Sequence, residues 1–311
     1  MADDPHKKIL VIKLGALGDI VLALGPFAAI RQHHPDANIT LLTTPTFEKF
    51  LEPSGYFDEI WTDSRPALWQ VPTWLALKAR LRTGGFTRVY DMQTSDRSGW
   101  YFRLFGAQQR PEWSGIAQGC SHPHANPDRD FMHSIERQDE QLAMAGISSM
   151  PAADLSWATS DIAGFGLEKR FVLLVPGGAP HRLTKRWPAD CYAELARNLA
   201  DQGTQPVILG SDSEAPLAQE IVSSCQSTID LCGQTDLADI ASLARQAAGA
   251  VGNDTGPIHM MAAVGCPTVV LFSAASDPAL TAPRGTEVEV LRRDNLTELS
   301  VEAVAAALRL R

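Results

Sequence analysis

The sequence predicts an α/β protein built from two doubly wound, parallel-sheet domains. Three observations carry this. Short apolar runs rich in β-branched residues alternate with longer helical patterns along the 311-residue chain, as expected of βαβ units. The alternation pauses once, over residues 148–168, where Ala, Ser, Pro and Gly dominate, and then restarts. The length itself favours two domains at roughly 150 residues each. We therefore expect domains at 1–155 and 156–311, with ligands beyond the carboxyl ends of the strands and a shared cleft as the default site.

In the first half, residues 8–14 (KILVIKL) read as a buried strand and 19–33 as a helix kinked by Pro26. Strands follow at 38–43, 59–62 and 88–92, with helices near 46–51, 73–81 and 98–105. Residues 106–129 hold several Pro, Gly, His and Trp residues and read as a long loop, either a lid or a binding loop; a helix follows over 133–145. In the second half, strands are expected at 171–175, 206–209, 250–252 and 268–272. Helices are expected at 189–201, 214–223, 237–247, 257–264 and 301–308.

Composition narrows the class. Hydrophobic residues are 45% and charged residues 20% of the chain, ordinary for a globular enzyme. No apolar run reaches the roughly 18 residues of a membrane span. Residues 1–8 are polar and charged, which does not suit a secretory signal. The five cysteines lack any CxxC pair. They read as small buried side chains in a reducing, cytoplasmic setting, without disulfides or zinc. The net charge of −9 is uneven, −2 over 1–150 and −7 over 151–311. Within 65–110, Arg65, Lys78, Arg80, Arg82, Arg88, Arg97, Arg103 and Arg110 face only Asp91 and Asp96, a local +6. Nucleic-acid binders are more often basic throughout, so none is expected. A phosphorylated or membrane-surface partner fits the local zone; solvated helix faces fit it equally.

Four strand-end segments carry candidate chemistry. Gly15-Ala16-Leu17-Gly18-Asp19 joins the first strand to the first helix, its glycines allowing a tight turn. It lacks the third glycine of a dinucleotide fingerprint, and Leu42-Thr43-Thr44-Pro45 offers no acid for a ribose. A nicotinamide cofactor is thus disfavoured. Asp19 reads as an N-cap or as a general base, and spacing alone favours the N-cap. Gly252–His259 (GNDTGPIH) is a strand-to-helix turn with Pro257 at the expected first helical position. Its free amides and helix dipole suit a diphosphate, with Thr255 adding a hydroxyl; an ordinary capped helix is the alternative. Pro176-Gly177-Gly178 followed by Lys185-Arg186-Trp187-Pro188 offers a Gly-rich turn and cations for phosphate oxygens, or a basic loop with Trp187 in the core. Glu214, in the turn Gly210–Glu214, could bind ribose hydroxyls or merely suit a helix start.

Together these segments resemble glycosyltransferase family 9, the ADP-heptose:lipopolysaccharide heptosyltransferases. The resemblance covers nearly the whole chain in order. It rests on the opening KILVIKLGALGDIVLALGPFAAIRQHHPDANITLL, on Asp91-Met92-Gln93 with Arg97-Ser98, on Lys185-Arg186-Trp187-Pro188 and on Gly252–His259. It continues through HMMAAVGCPTVVLF, Asp277-Pro278 and Pro283-Arg284-Gly285. The resemblance implies a GT-B fold of two Rossmann-like domains facing a cleft, with no metal or cofactor. The first domain would bind the acceptor and the second the nucleotide sugar. The reaction implied is inverting heptosyl transfer from ADP-heptose to a phosphorylated, lipid-linked inner-core glycan. It would take place in the cytoplasm, with at most transient contact at the inner membrane face.

The resemblance also assigns roles. Asp19 becomes the catalytic base, ahead of the N-cap reading. Lys185, Thr255 and Gly256 would hold donor phosphates. Asp254 and His259 would face the sugar or its phosphates, and Glu214 the ribose. Gly15, Gly18 and Arg97 would lie on the acceptor side. Alternatives are a nucleotide-sugar isomerase on the same scaffold, which needs no acceptor, and a non-catalytic nucleotide-sugar binder.

Overall fold

The computed structural model describes residues 7–67, 69–106, 108, 110–178 and 183–311. The chain divides into two compact units, Met1–Ala153 and Asp154–Arg311. The first contains β1 (Lys8–Ile12), α1 (Leu17–Val21), α2 (Leu24–His33), β2 (Asn38–Thr43), α3 (Pro45–Leu51), β3 (Glu59–Thr62), α4 (Val71–Thr83), β4 (Arg88–Asp91), α5 (Asp96–Leu104), β5 (Glu112–Gly115), β6 (His122–Pro123) and α6 (Ser134–Met144). The second contains β7 (Phe171–Val175), α7 (Ala189–Asp201), β8 (Gln205–Ile208), α8 (Ala215–Ser224), β9 (Ile229–Asp230), α9 (Leu237–Gln246), β10 (Gly249–Asn253), α10 (Gly256–Ala263), β11 (Thr268–Phe272), α11 (Pro278–Thr281), β12 (Val288–Arg292) and α12 (Val301–Ala307).

Each unit folds around one parallel sheet. The strand order is β3-β2-β1-β4-β5-β6 in the first and β12-β11-β10-β7-β8-β9 in the second. Counted within each unit, both are the 3-2-1-4-5-6 order of a Rossmann fold. The order reverses between β1 and β4, and again between β7 and β10, so the loops leaving those strands border the natural ligand crevices. The inner strands read as continuous apolar runs because helices cover both faces of a parallel sheet. β7 (FVLLV) and β11 (TVVLF) are buried at every residue. In the first unit, Leu10, Ile12, Leu42 and Val89 pack with Leu77, Leu81, Tyr101, Phe102 and Trp113. Fully burying a side chain of this size contributes about 2–3 kcal/mol.

Three expectations change. The helix expected over 19–33 is two helices, broken at Leu22 and Ala23. Pro26 lies in the first turn of α2, where its missing N–H costs nothing. A continuous helix would have set its ring against the Leu22 carbonyl, four residues back. The loop expected at 106–129 instead holds β5 and β6, which extend the sheet at its edge. Trp113, wholly buried in β5, anchors a segment whose Pro and Gly content hides so short a strand. β9 and β12, the edge strands of the second sheet, also escaped the pattern, β9 because it spans only two residues.

Candidate active site

In the first unit, β1 delivers Lys13, Leu14 and Gly15 to the reversal point. The Lys13 side chain is buried, and its Nζ donates to the Met92 carbonyl at 3.0 Å. Burial pulls its pKa down, against the charges of Asp19 and Asp91. The Leu14 N–H donates to Gln93 Oε1 at 2.8 Å, and Arg65 Nη2 donates to the Leu14 carbonyl at 2.8 Å. One residue is thus held from both sides. Gly15 has φ +106°, and a Cβ there would lie 2.6 Å from Phe47 Cε2. Any larger residue would strain the turn and strike that ring.

This clamp presents Asp19. Ala16, not Asp19, is the N-cap of α1; Gly18 and Asp19 lie in the first turn. The half-buried carboxylate accepts the Ala16 N–H through Oδ2 at 2.9 Å. The N-cap reading is therefore corrected by three positions: α1 begins before Gly18, so Asp19 reaches back rather than forward. Lys13 and Arg137 of α6 both feel its negative charge, so a second cation, unforeseen in the sequence, serves this locality.

Asp91 ends β4 and is wholly buried. Its Oδ1 accepts the Gln93 and Thr94 N–H groups at 3.1 and 2.9 Å, while Oδ2 has no hydrogen-bond partner. Burial raises the carboxyl to about 6, although these amides, Ser98 and the Lys13 charge pull it down. Thr94 has φ +44° and Arg65 φ +54°, conformations that bulky residues adopt at a cost and that cluster at functional sites. Both are fixed by an aspartate: Asp91 to the Thr94 N–H, and Asp63 to the Arg65 N–H at 2.9 Å.

Arg97 on α5 points inward along its own helix. Its Nε donates to Tyr101 Oη at 3.0 Å and its Nη2 to the Pro66 carbonyl at 2.9 Å; Asp63 lies 3.7 Å away. Arg65, Arg82 and Arg88 likewise bond the Leu14 carbonyl, the Leu104 carbonyl and Glu112. Part of the basic zone therefore stitches the first unit together.

In the second unit, the turns after β7 and β10 meet. Asn253, wholly buried at the end of β10, donates through Nδ2 to the Pro176 and Gly177 carbonyls at 2.8 and 3.0 Å. Its Oδ1 accepts from the Trp187 N–H and from Tyr192 Oη at 3.0 and 3.3 Å. Every polar capacity of this amide is used. The sequence reading passed over Asn253, although a polar residue ending a buried strand could have signalled it. Trp187 is a core residue, its indole donating to the Leu299 carbonyl at 2.9 Å. A Cβ on Gly178 would lie 3.4 Å from Thr255 Cγ2, so the two turns touch.

Thr255 is the N-cap of α10, Gly256 its first residue and Pro257 its second, one later than expected. Threonine caps usually accept an N–H from the second or third position; here the second is a proline without one. The Thr255 hydroxyl makes no cap bond and is buried without a partner. Lys185 Nζ lies 2.7 Å from Asp254 Oδ2, and His259 Nε2 lies 3.9 Å from Asp254 Oδ1. Burial opposes ionisation of Asp254, but the neighbouring His259, Lys185 and Ser276 side chains, with the Lys185 charge, hold it near 2. His259 is buried, and its Nδ1 has no partner. Glu214 is already engaged, its Oε1 accepting the Gly178 N–H at 2.7 Å and its Oε2 the Ser211 N–H at 2.9 Å. A Cβ on Gly177 would fall 1.6 Å from Glu214 Oε1, so a larger residue there would displace the Glu214 carboxylate from this turn. Lys185, Asp254, Thr255, Gly256 and His259 thus share one corner, and Glu214 reaches it from beneath the Gly177–Gly178 turn. That corner combines a cation, a helix N-terminus and a free hydroxyl, the components of an anion site.

The family model described as glycosyltransferase family 9 (heptosyltransferase) matches residues 74–306. The chain belongs to that family. Lipopolysaccharide heptosyltransferase 1 of Pseudomonas aeruginosa is 23% identical over 308 residues, spanning 89% of this chain and 81% of the relative. Lipopolysaccharide heptosyltransferase 2 of Escherichia coli is 34% identical over 120 residues, spanning 37% of this chain and 34% of the relative. That match therefore covers about a third of the relative's length. The solved structure of E. coli ADP-heptose lps heptosyltransferase II superposes with a TM-score of 0.77 at 23% identity, covering 97% of each chain. Both units of this family 9 chain therefore have the Rossmann-like folds of GT-B enzymes. These relatives favour glycosyl transfer over the isomerase alternative.

Proposed function

We propose that the protein is an inverting heptosyltransferase that uses ADP-heptose as donor and a phosphorylated, lipid-linked inner-core glycan as acceptor. The first unit binds the acceptor and the second binds the donor. The observation that carries the reading is the corner at the start of α10, where the unpartnered Thr255 hydroxyl, the α10 amides and Lys185 converge. Developing negative charge on a leaving diphosphate would be met there, and preorganised donors of this kind are worth roughly 3–4 kcal/mol each.

Asp19 is the proposed general base. It takes the proton of the acceptor hydroxyl as that oxygen attacks the anomeric carbon and the bond to the diphosphate breaks. The clamp on Leu14 supports this role by holding the turn before Asp19. Gly15 and Gly18 allow close approach of the acceptor, and Arg97 borders it. Lys185, Thr255 and Gly256 hold phosphates; Asp254 and His259 orient them or the sugar. Glu214 reaches the ribose by way of the turn it supports. The five cysteines are free, and among the described residues no helix is long and apolar enough to cross a membrane. These facts support a cytoplasmic enzyme that visits the inner membrane face for its acceptor.

The test is a calorimetric screen of ADP-, UDP- and GDP-sugars, followed by assay of the released nucleotide with and without acceptor. ADP-heptose should bind most tightly, with ADP released only when acceptor is present. Nucleotide release or sugar interconversion without acceptor would restore the isomerase.

A further inference from the structure

α4 and α5 lie on the same face of the first sheet, and their inner sides bury Leu77, Leu81, Tyr101 and Phe102. Arg82 Nε joins them through the Leu104 carbonyl, and Arg97 lies over the Trp74 ring at 5.1 Å. Their outer sides carry unusual residues. Trp69 is 82% exposed, Leu75 58%, and Val71 and Trp100 each 55%. Val71 and Leu75 stand one turn apart on α4, and Lys78, Arg80 and Arg82 continue that helix. On α5, Trp100 and Arg103 project together, the guanidinium 4.9 Å from the ring. Beyond the inward-pointing Arg97, the two helices hold Lys78, Arg80, Arg82 and Arg103 against Asp96 alone, inside a protein of net charge −9.

We propose that this outer face of α4 and α5, with Trp69 at its edge, docks on an anionic lipid bilayer. Indole rings with a polar N–H prefer the headgroup level, Leu75 and Val71 enter the acyl boundary, and the cations meet anionic headgroups. A second copy of the chain is a poorer occupant, because apposing two such faces would bring like charges together. The proposal rests on the reading of the acceptor as lipid-linked, since such a substrate must be reached at a bilayer surface.

The full-length protein is sedimented with vesicles of phosphatidylcholine alone and of phosphatidylcholine with phosphatidylglycerol. The protein should bind the anionic vesicles selectively and release in high salt. The double variant Lys78→Gln, Arg103→Gln should bind about 25-fold more weakly, roughly fivefold per charge. Leu75→Ser, Trp100→Ser should also weaken binding. Neither pair should change transfer to a lipid-free acceptor analogue. Equal binding to neutral vesicles, unchanged binding by both variants, or a variant-sensitive dimer in solution overturns the proposal. Loss of transfer to the lipid-free analogue also overturns it, assigning the face to the acceptor glycan. Vesicle binding without any transfer leaves the docking face standing and removes the enzymatic reading, so the two fail separately.

Discussion

The fourth strand of each sheet ends in a buried polar residue, and the two residues do related work by different means. Asn253 closes β10 and spends all its hydrogen-bonding capacity on the turn after β7, Trp187 and Tyr192. Asp91 closes β4 and secures its own turn through Oδ1, leaving Oδ2 unpaired. The neutral amide makes a rigid cradle under the proposed diphosphate site. The carboxyl, raised to about 6 by burial, makes a cradle near Asp19 that carries a titratable proton. Identical topology thus fixes where loops converge, while single side chains decide whether the convergence holds a fully bonded amide or a carboxyl with one oxygen unpaired. Substitutions at four positions press on that contrast.

The largest effect is expected at Asp19. If the first unit supplies the base, Asp19→Asn should lower kcat by about 10³-fold, within the usual range for a positioned acid or base. Donor affinity, set in the second unit, should stay within twofold. Single-turnover kinetics with calorimetry of ADP separates the two quantities. A variant that keeps most of its kcat would remove the base from this unit altogether.

Asp91 comes next, through stability. Its folded-state pKa of about 6 exceeds the ordinary 3.8. Between these values the folded protein holds a proton that the unfolded chain has lost. Stability should therefore fall as pH rises from about 4 to about 6, by about 3 kcal/mol in all, and then level off. Asp254 runs the other way: held near 2, it stabilises above pH 4 and loses that contribution as pH falls toward 2. Denaturant unfolding of Asp91→Asn across this range should lack the first slope, since the amide oxygen still serves the Gln93 and Thr94 N–H groups. The same slope in variant and wild type would rule out Asp91 as its source.

Much of this was legible in the sequence, and the pattern of success has physical reasons. The strands at 59–62, 171–175 and 268–272 were placed to the residue because bounded β-branched runs permit little else. The site turns were legible because Gly and Pro mark strand ends. The short strands β5, β6 and β9 were not, since short pairings at or next to a sheet margin need no apolar alternation. The clamp on Leu14 was equally hidden. It joins Gln93 and Arg65 to a residue 79 and 51 positions away, and no local pattern encodes such a meeting. Arg97 was equally opaque: its position suggested the acceptor side, and nothing local announced its bonds to Tyr101 and the Pro66 carbonyl.

Lys185 tests the anion site by charge. Lys185→Ala should weaken ADP binding about 10- to 100-fold in calorimetry, with kcat at saturating donor falling less. Because the substitution strands Asp254 in a half-buried setting, acid and thermal stability should also drop. Lys185→Arg separates these causes. It restores a partner for Asp254 and hence stability, yet a planar fork does not reproduce the point charge of an ammonium at the phosphate. Full recovery of donor affinity in the arginine variant would mean that Lys185 serves Asp254 alone.

Thr255 offers the smallest effect and the sharpest reading. Its hydroxyl is buried and unpartnered at the cap of a helix whose second residue is proline. In Thr255→Val the shape persists and only the hydroxyl goes. An idle buried hydroxyl is a desolvation cost, so the valine variant should match or exceed the wild-type melting temperature. If that hydroxyl awaits a phosphate oxygen, the same substitution should weaken ADP binding about fivefold to tenfold, the worth of one hydrogen bond at about 1 kcal/mol. Thr255→Ser should restore affinity but not the packing of the lost methyl against Gly178. Stability and affinity moving in opposite directions is a signature that neither a purely structural threonine nor a general loosening of α10 can produce. A valine variant that binds ADP as tightly as the parent would return the start of α10 to the class of ordinary capped helices.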